Sequence, residues 1–167
     1  SAEAASRQMR DTLESAHQCD TQTQNAVNSI DEIIEEAEGY IDNITIGRTD
    51  LSGSYFQEDI VPDSDFILNK VLEIGRKLQS KKLTLTMGGS LSAKTIQKLT
   101  SNPELLGYIK KLETRKVMLP TKEMVELNDS VRECLKFEEL YILSKKEFSD
   151  LAIESEVNRL TNLKMRL

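Results

Sequence analysis

Apolar residues within the first 46 positions recur at alternating steps of three and four, and this pattern constrains the fold more than any other feature. Its clearest members are Leu13, Val27, Ile30, Ile34, Ile41 and Ile44. A repeat that averages 3.5 residues keeps one stripe of a helix facing a partner helix, as in a coiled coil. The pattern therefore predicts a coiled-coil helix over residues 1–46, with these six residues in its seam.

The other end of the chain has a similar character. Thr121 follows Pro120 and can cap a helix, and residues 122–167 contain neither Pro nor Gly. Two long helices at opposite ends predict an all-α fold in which they form a coiled-coil-like antiparallel hairpin or bundle. The alternative is that each long helix pairs with another chain.

Residues 47–121 are predicted to form a loop followed by a small helical head of about three short helices. The expected helix starts are Ser64 or Asp65, Ser90 or Ser92, and Asn102 followed by Pro103. Residues 82–87 alternate apolar and polar side chains, but a single short strand would have no partner. We therefore expect this segment to be extended, and we expect the three regions to form one folded unit.

Composition narrows the class of protein. Aromatic residues make up 5% of the 167 residues and charged residues 30%, which favours a slender helical body. The sequence lacks an apolar run of about 18 residues, so no membrane span is expected. Two cysteines are too few for a disulfide framework, which indicates an intracellular protein, nuclear or cytoplasmic.

Charge is distributed unevenly along the chain. Residues 1–46 contain ten acidic and two basic residues, a net charge of −8, whereas residues 66–121 contain eleven basic and three acidic residues, a net charge of +8. The candidate partner-binding residues in the basic segment are Lys77, Lys81, Lys82, Lys94, Lys98, Lys110, Lys111, Arg115 and Lys116. They could bind an acidic protein or nucleic-acid phosphates, or they could neutralise the acidic helix.

One short motif suggests nucleotide chemistry. Residues 88–95, Gly-Gly-Ser-Leu-Ser-Ala-Lys-Thr, resemble the phosphate-binding loop of nucleotide hydrolases. The resemblance implies that Lys94 would contact phosphates and that Thr95 would bind magnesium. Ala93 occupies the place of the second glycine, however, and a capped turn before a short helix is the favoured interpretation.

Other catalytic or metal-binding patterns are not found. His17 and Cys19 would point about 200° apart on a helix, so they could not bind one metal together. No catalytic, cofactor-binding or metal-binding residues are predicted, and the chain is not expected to be an enzyme.

These features predict a non-catalytic helical scaffold or adaptor subunit of a larger intracellular complex. Its basic head would dock an acidic protein partner, and its helices would pair with a copy of the chain or with another protein. The alternative is a nucleic-acid-binding module that uses residues 66–121.

Overall fold

Strands and helices alternate along most of the chain in the computed structural model, which describes residues 18–37, 39–126 and 129–165. In chain order the elements are β1 (Gln18–Thr21), α1 (Gln24–Asn28), α2 (Ile30–Glu36), β2 (Asn43–Gly47), α3 (Arg48–Gly53), α4 (Asp65–Ser80), β3 (Thr84–Gly88), α5 (Ala93–Thr100), α6 (Pro103–Tyr108), β4 (Ile109–Glu113), β5 (Met118–Pro120), α7 (Thr121–Glu126) and α8 (Ser130–Lys164).

The five strands form one sheet whose spatial order follows the chain, β1-β2-β3-β4-β5. Neighbouring strands from β1 to β4 are parallel, and β5 returns antiparallel to β4. Parallel strands in chain order with helices between them are also the arrangement of the wall of a (β/α) barrel. One consequence is that the carboxyl ends of β1, β2, β3 and β4 lie at the same edge of the sheet.

The two faces of the sheet differ in polarity because side chains alternate along each strand. Ile44, Ile46, Leu85, Met87 and Leu112 belong to one core cluster with the inward residues of the helices. The opposite face carries a hydrogen-bonded polar network: the Asn43 side-chain oxygen accepts from the hydroxyls of Thr84 at 2.9 Å and Thr86 at 3.0 Å, and its amide nitrogen donates to Thr45 at 3.2 Å. These bonds satisfy polar groups that would otherwise be buried without partners.

Local sequence explains where the central helices begin. Ser64 caps α4, Ser92 caps α5 and Asn102 caps α6, each accepting a backbone N–H with its side-chain oxygen. The capping of α5 is reciprocal, because the Ser92 backbone N–H also donates to the Thr95 hydroxyl. These three helix starts agree with the positions predicted from the sequence.

Helix α8 is 35 residues long and leaves the folded core after its first turns. Val131 and Cys134 are buried, whereas every residue with a described side chain from Tyr141 to Met165 is exposed. Neither α8 nor any other helix in the described part of the chain is long and apolar enough to cross a membrane.

The predicted all-α coiled-coil hairpin is wrong, because the described residues form a mixed α/β structure around a sheet. The predicted seam residues instead belong to several elements of one core: Val27 in α1, Ile30 and Ile34 in α2, Ile41 in a connection and Ile44 in β2. Leu13 lies outside the described residues. A long C-terminal helix is present, but no N-terminal helix lies along it in the described structure.

The spacing misled because short elements of different type each direct an apolar side chain inward. Helix α2 ends near Ala37, and Gly39 then adopts φ +85°, a left-handed conformation that ends helical geometry. The chain re-enters the core as a strand only a few residues later. The apolar spacing across this break therefore resembles that of one continuous helix.

Candidate functional site

The candidate site lies where four parallel strands end. Gln22 follows β1, Thr49 and Asp50 follow β2, Gly89 and Ser90 follow β3, and Thr114 and Arg115 follow β4. These residues, with parts of the strands and of α8, surround a cavity of about 530 Å³. In folds whose parallel strands follow chain order, ligands commonly bind at this edge, because loops from several strands converge there.

The turn after β3 closely approaches the start of α3, directly after β2. Gly89 has φ +84°, and a Cβ added there would lie 2.5 Å from the Thr49 backbone nitrogen and 2.7 Å from that of Arg48. Only glycine meets both the conformational and the steric requirement without strain. Ser90 completes the approach, because its hydroxyl lies 2.9 Å from the Thr49 hydroxyl.

Arg48 stabilises the same turn with hydrogen bonds from its buried side chain. Its side chain is fully buried, and its guanidinium donates to the carbonyl oxygens of Gly88 at 3.1 Å, Gly89 at 2.6 Å and Pro62 at 3.2 Å. It also forms a salt bridge with Asp63. Burial lowers the pKa of the Arg48 guanidinium, while the hydrogen bond and the charge of Asp63 oppose that shift. One buried cation thus joins the start of α3 to two connecting segments, the turn after β3 and the segment before α4.

Asp63 extends this support to helix α5. Its carboxylate accepts from the Thr95 hydroxyl at 3.0 Å, and its backbone carbonyl accepts from the Lys98 ammonium at 2.7 Å. Lys98 also forms an ion pair with Asp65 at 2.7 Å, and this hydrogen bond lowers the pKa of Asp65. Thr95 is fully buried and is already used in a helix cap. It is therefore not placed to bind magnesium as the resemblance to phosphate-binding loops implied.

The wall of the cavity opposite β2 comes from the β4–β5 turn and from α8. Thr114 fixes the turn, since its backbone N–H donates to the Val117 carbonyl at 2.8 Å and its hydroxyl accepts from the Val117 N–H at 3.1 Å. The Lys116 ammonium lies 4.4 Å from the centre of the Tyr141 ring, which ties the turn to α8. Arg115 lies between Thr114 and Lys116 in this turn, and it lines the cavity.

Polar groups dominate the cavity lining. Asp50, Glu113 and Glu138 contribute carboxylates and Arg115 a guanidinium, and the hydroxyl-bearing lining residues are Thr45, Thr49, Ser90 and Thr114. Such a surface can accept hydrogen bonds from hydroxyl or amino groups and can bind one anionic group bidentately. Across the described side chains, no three His, Cys, Asp or Glu residues are grouped so as to hold a metal ion.

The nine basic residues selected from the sequence are spread over several parts of the fold. Lys77 lies on α4, Lys81 and Lys82 precede β3, Lys94 and Lys98 lie on α5, Lys110 and Lys111 lie in β4, and Arg115 and Lys116 form the turn after β4. Lys77 pairs with Asp31 at 2.6 Å, and Lys98 pairs with Asp65. Of the nine, only Arg115 lines the cavity.

Most cavity residues were missed because the sheet was not recognised. Asp50, Ser90 and Glu138 are ordinary polar residues when read without knowledge of neighbouring strands. The useful signal was the repeated pattern of an alternating or β-branched run that ends in glycine, Ile44-Thr45-Ile46-Gly47 and Leu85-Thr86-Met87-Gly88. Two such runs could have paired with each other in a parallel sheet.

Comparison of the chain with protein families, with curated proteins and with solved structures finds no match.

Proposed function

We propose that the chain binds a small polar molecule at the carboxyl edge of its sheet. The observation that supports the proposal is the convergence of four strand ends on one polar cavity of about 530 Å³. That volume falls in the range typical of sites for small ligands. The buried Arg48 and the restricted Gly89 hold the cavity floor in place before any ligand arrives, which reduces the ordering cost of binding.

The lining indicates the chemistry of the ligand. Asp50 and Glu138 are acceptors for ligand hydroxyl or amino groups. The Thr49 and Ser90 hydroxyls bond each other, so one of them is left to donate to a ligand while both can accept. Arg115 can bind a carboxylate or a phosphate with two parallel hydrogen bonds. The ligand class that fits is a small hydroxylated compound with one anionic group, such as a sugar acid or a sugar phosphate.

A ligand screen with matched variants tests this proposal. Sugar acids and sugar phosphates are added to the purified chain, and the melting temperature is measured. A compound that binds the folded chain and not the unfolded chain raises the melting temperature by about 3 °C or more at saturation. For the best member, Arg115→Gln should weaken binding about tenfold or more, because it removes a charged bidentate contact.

The control is Lys94→Gln, which removes a basic residue lining a separate surface groove between α4 and α5. This variant should bind the same compound with unchanged affinity. Failure of every compound to shift the melting temperature, or equal weakening by both substitutions, would reject the site.

We infer as a second candidate function that the chain is a non-catalytic scaffold or adaptor subunit in an intracellular complex, nuclear or cytoplasmic. The supporting observation is the exposed apolar surface of α8, on which the Phe148 side chain is 79% exposed and the Leu151 side chain 59% exposed. The free, reduced thiol of Cys134 fits an intracellular location. Docking of an acidic partner by the basic residues, and nucleic-acid binding through residues 66–121, stay predictions.

Substitution of the apolar surface tests this candidate. Phe148→Ser with Leu151→Ser should abolish co-purification of a partner from the source cell while the melting temperature of the chain stays unchanged. Identical sets of co-purified proteins for the variant and the unaltered chain would argue against it.

A further inference from the structure

The outer part of α8 exposes many large apolar side chains. Between Ile142 and Leu163 the exposed apolar side chains are Ile142, Leu143, Phe148, Leu151, Ile153, Val157, Leu160 and Leu163. They do not form one stripe, since Phe148 and Leu151 lie on roughly the opposite side of the helix from Ile153 and Leu160 at 100° per residue. Exposed apolar side chains in this number mark a surface that a partner can cover.

One stripe of α8 is complementary to its own reverse. Ile142, Lys146, Ser149, Ile153, Glu156 and Leu160 follow at steps of four, three, four, three and four, the spacing of a coiled-coil seam. In an antiparallel pair centred near residue 151, Ile142 faces Leu160 of the second copy and Ser149 faces Ile153. Lys146 then faces Glu156 of the second copy, and the twofold symmetry repeats each contact.

We propose that a second copy of this chain covers this stripe, with the two α8 helices antiparallel. The charges select this occupant and this direction. Parallel copies would place Lys146 beside Lys146 and Glu156 beside Glu156, which is repulsive. Within one helix the two residues are ten positions apart, about 15 Å along the axis, so they do not pair with each other.

The residues that border the stripe modulate the strength of the pair. Leu143 and Val157 lie on one side of it and approach each other between copies in the same register. Lys145 and Arg159 lie on the other side and repel, so the association is expected to be reversible and measurable.

The proposed register also relates the dimer to the cavity. It places the end of α8 of the second copy, near Lys164, at the height of Glu138, which lines the cavity of the first chain. The two cores would lie at opposite ends of a two-helix stem about 40 Å long.

Charge reversal tests the proposal on the full chain. Sedimentation equilibrium measures the dimer dissociation constant for the unaltered protein, Lys146→Glu, Glu156→Lys and the double variant. Each single reversal converts two attractive contacts into two repulsive ones and should raise the dissociation constant about tenfold or more. The double variant restores opposite charges between copies and should return within about threefold of the unaltered value.

Glu147→Lys is the matched control, because it reverses an exposed charge on the other side of α8 from the stripe and should leave the dissociation constant unchanged. A monomeric unaltered protein, association that ignores both single reversals, or a double variant no better than the single ones would overturn the proposal. Circular dichroism of every variant checks that α8 remains helical.

Discussion

Replacing Arg48 by Met tests whether the buried guanidinium organises the cavity floor. Met keeps a long, flexible side chain in the core, but it removes every hydrogen bond that Arg48 donates. Three backbone carbonyls and the Asp63 carboxylate then each lose a donor, and Asp63 keeps the bond from the Thr95 hydroxyl. Removing one partner of a buried ion pair costs about 3–5 kcal/mol, because the remaining charge is left uncompensated.

That loss is a large share of the stability of an ordinary domain, about 5–15 kcal/mol. Urea unfolding followed by circular dichroism measures it as a lower midpoint at unchanged slope. The matched control is Arg76→Met, which removes an Arg–Glu pair on the surface where Arg76 is 53% exposed and Glu104 49% exposed. Solvent screens that pair, so the urea midpoint of the control should be close to that of the unaltered protein.

A double-mutant cycle separates the ion pair from loss of packing. Asp63→Asn added to Arg48→Met removes the uncompensated charge and should recover part of the lost stability, about 1–3 kcal/mol. If the free energy of unfolding of Arg48→Met lies within about 1 kcal/mol of that of the unaltered chain, the guanidinium does not organise the floor. Strictly additive effects of the two substitutions would refute their coupling.

Three further outcomes follow from the described contacts. Gly89→Ala should lower the free energy of unfolding by about 1–3 kcal/mol in urea, because of the positive φ and the close backbone at the start of α3. Gly53→Ala has open space at its Cβ and should change this free energy little. Ser92→Ala removes the α5 cap and should cost about 1 kcal/mol by the same measurement. The hydrogen bond from Arg76 lowers the pKa of Glu104. The stabilisation from this pair is therefore present above the ordinary pKa of 4.5 and is lost as pH falls through the lowered pKa. Glu104→Gln should flatten this part of the acid unfolding curve.

The starts of the central helices could be predicted from the sequence, whereas the fold class could not. Local signals are sufficient for helix starts, since a side-chain cap at Ser64, Ser92 or Asn102 depends on the next three residues alone. Helix α6 ends at Tyr108, although the apolar spacing of Ile109 and Leu112 fits a continued helix as well as a strand. The structure gives these two residues to β4.

Parallel pairing could not be predicted from any one segment. Each strand of a parallel sheet finds its partner only after an intervening crossover, so the single alternating run at residues 82–87 was judged to have no partner. The cavity depends on the same non-local pairing. Arg115 was selected for its charge, whereas Asp50 and Glu138 become site residues only when β2 and α8 are placed around β3.

The chain-order arrangement of the sheet has a consequence for synthesis on the ribosome. Every strand pairs with the next one to emerge, and no two residues in register are more than 41 positions apart. Each new strand can therefore dock on an edge that already exists, without waiting for the far end of the polypeptide. The nascent protein can grow its sheet in the direction of translation, and α8, which follows all five described strands in the chain, adds nothing to those pairings.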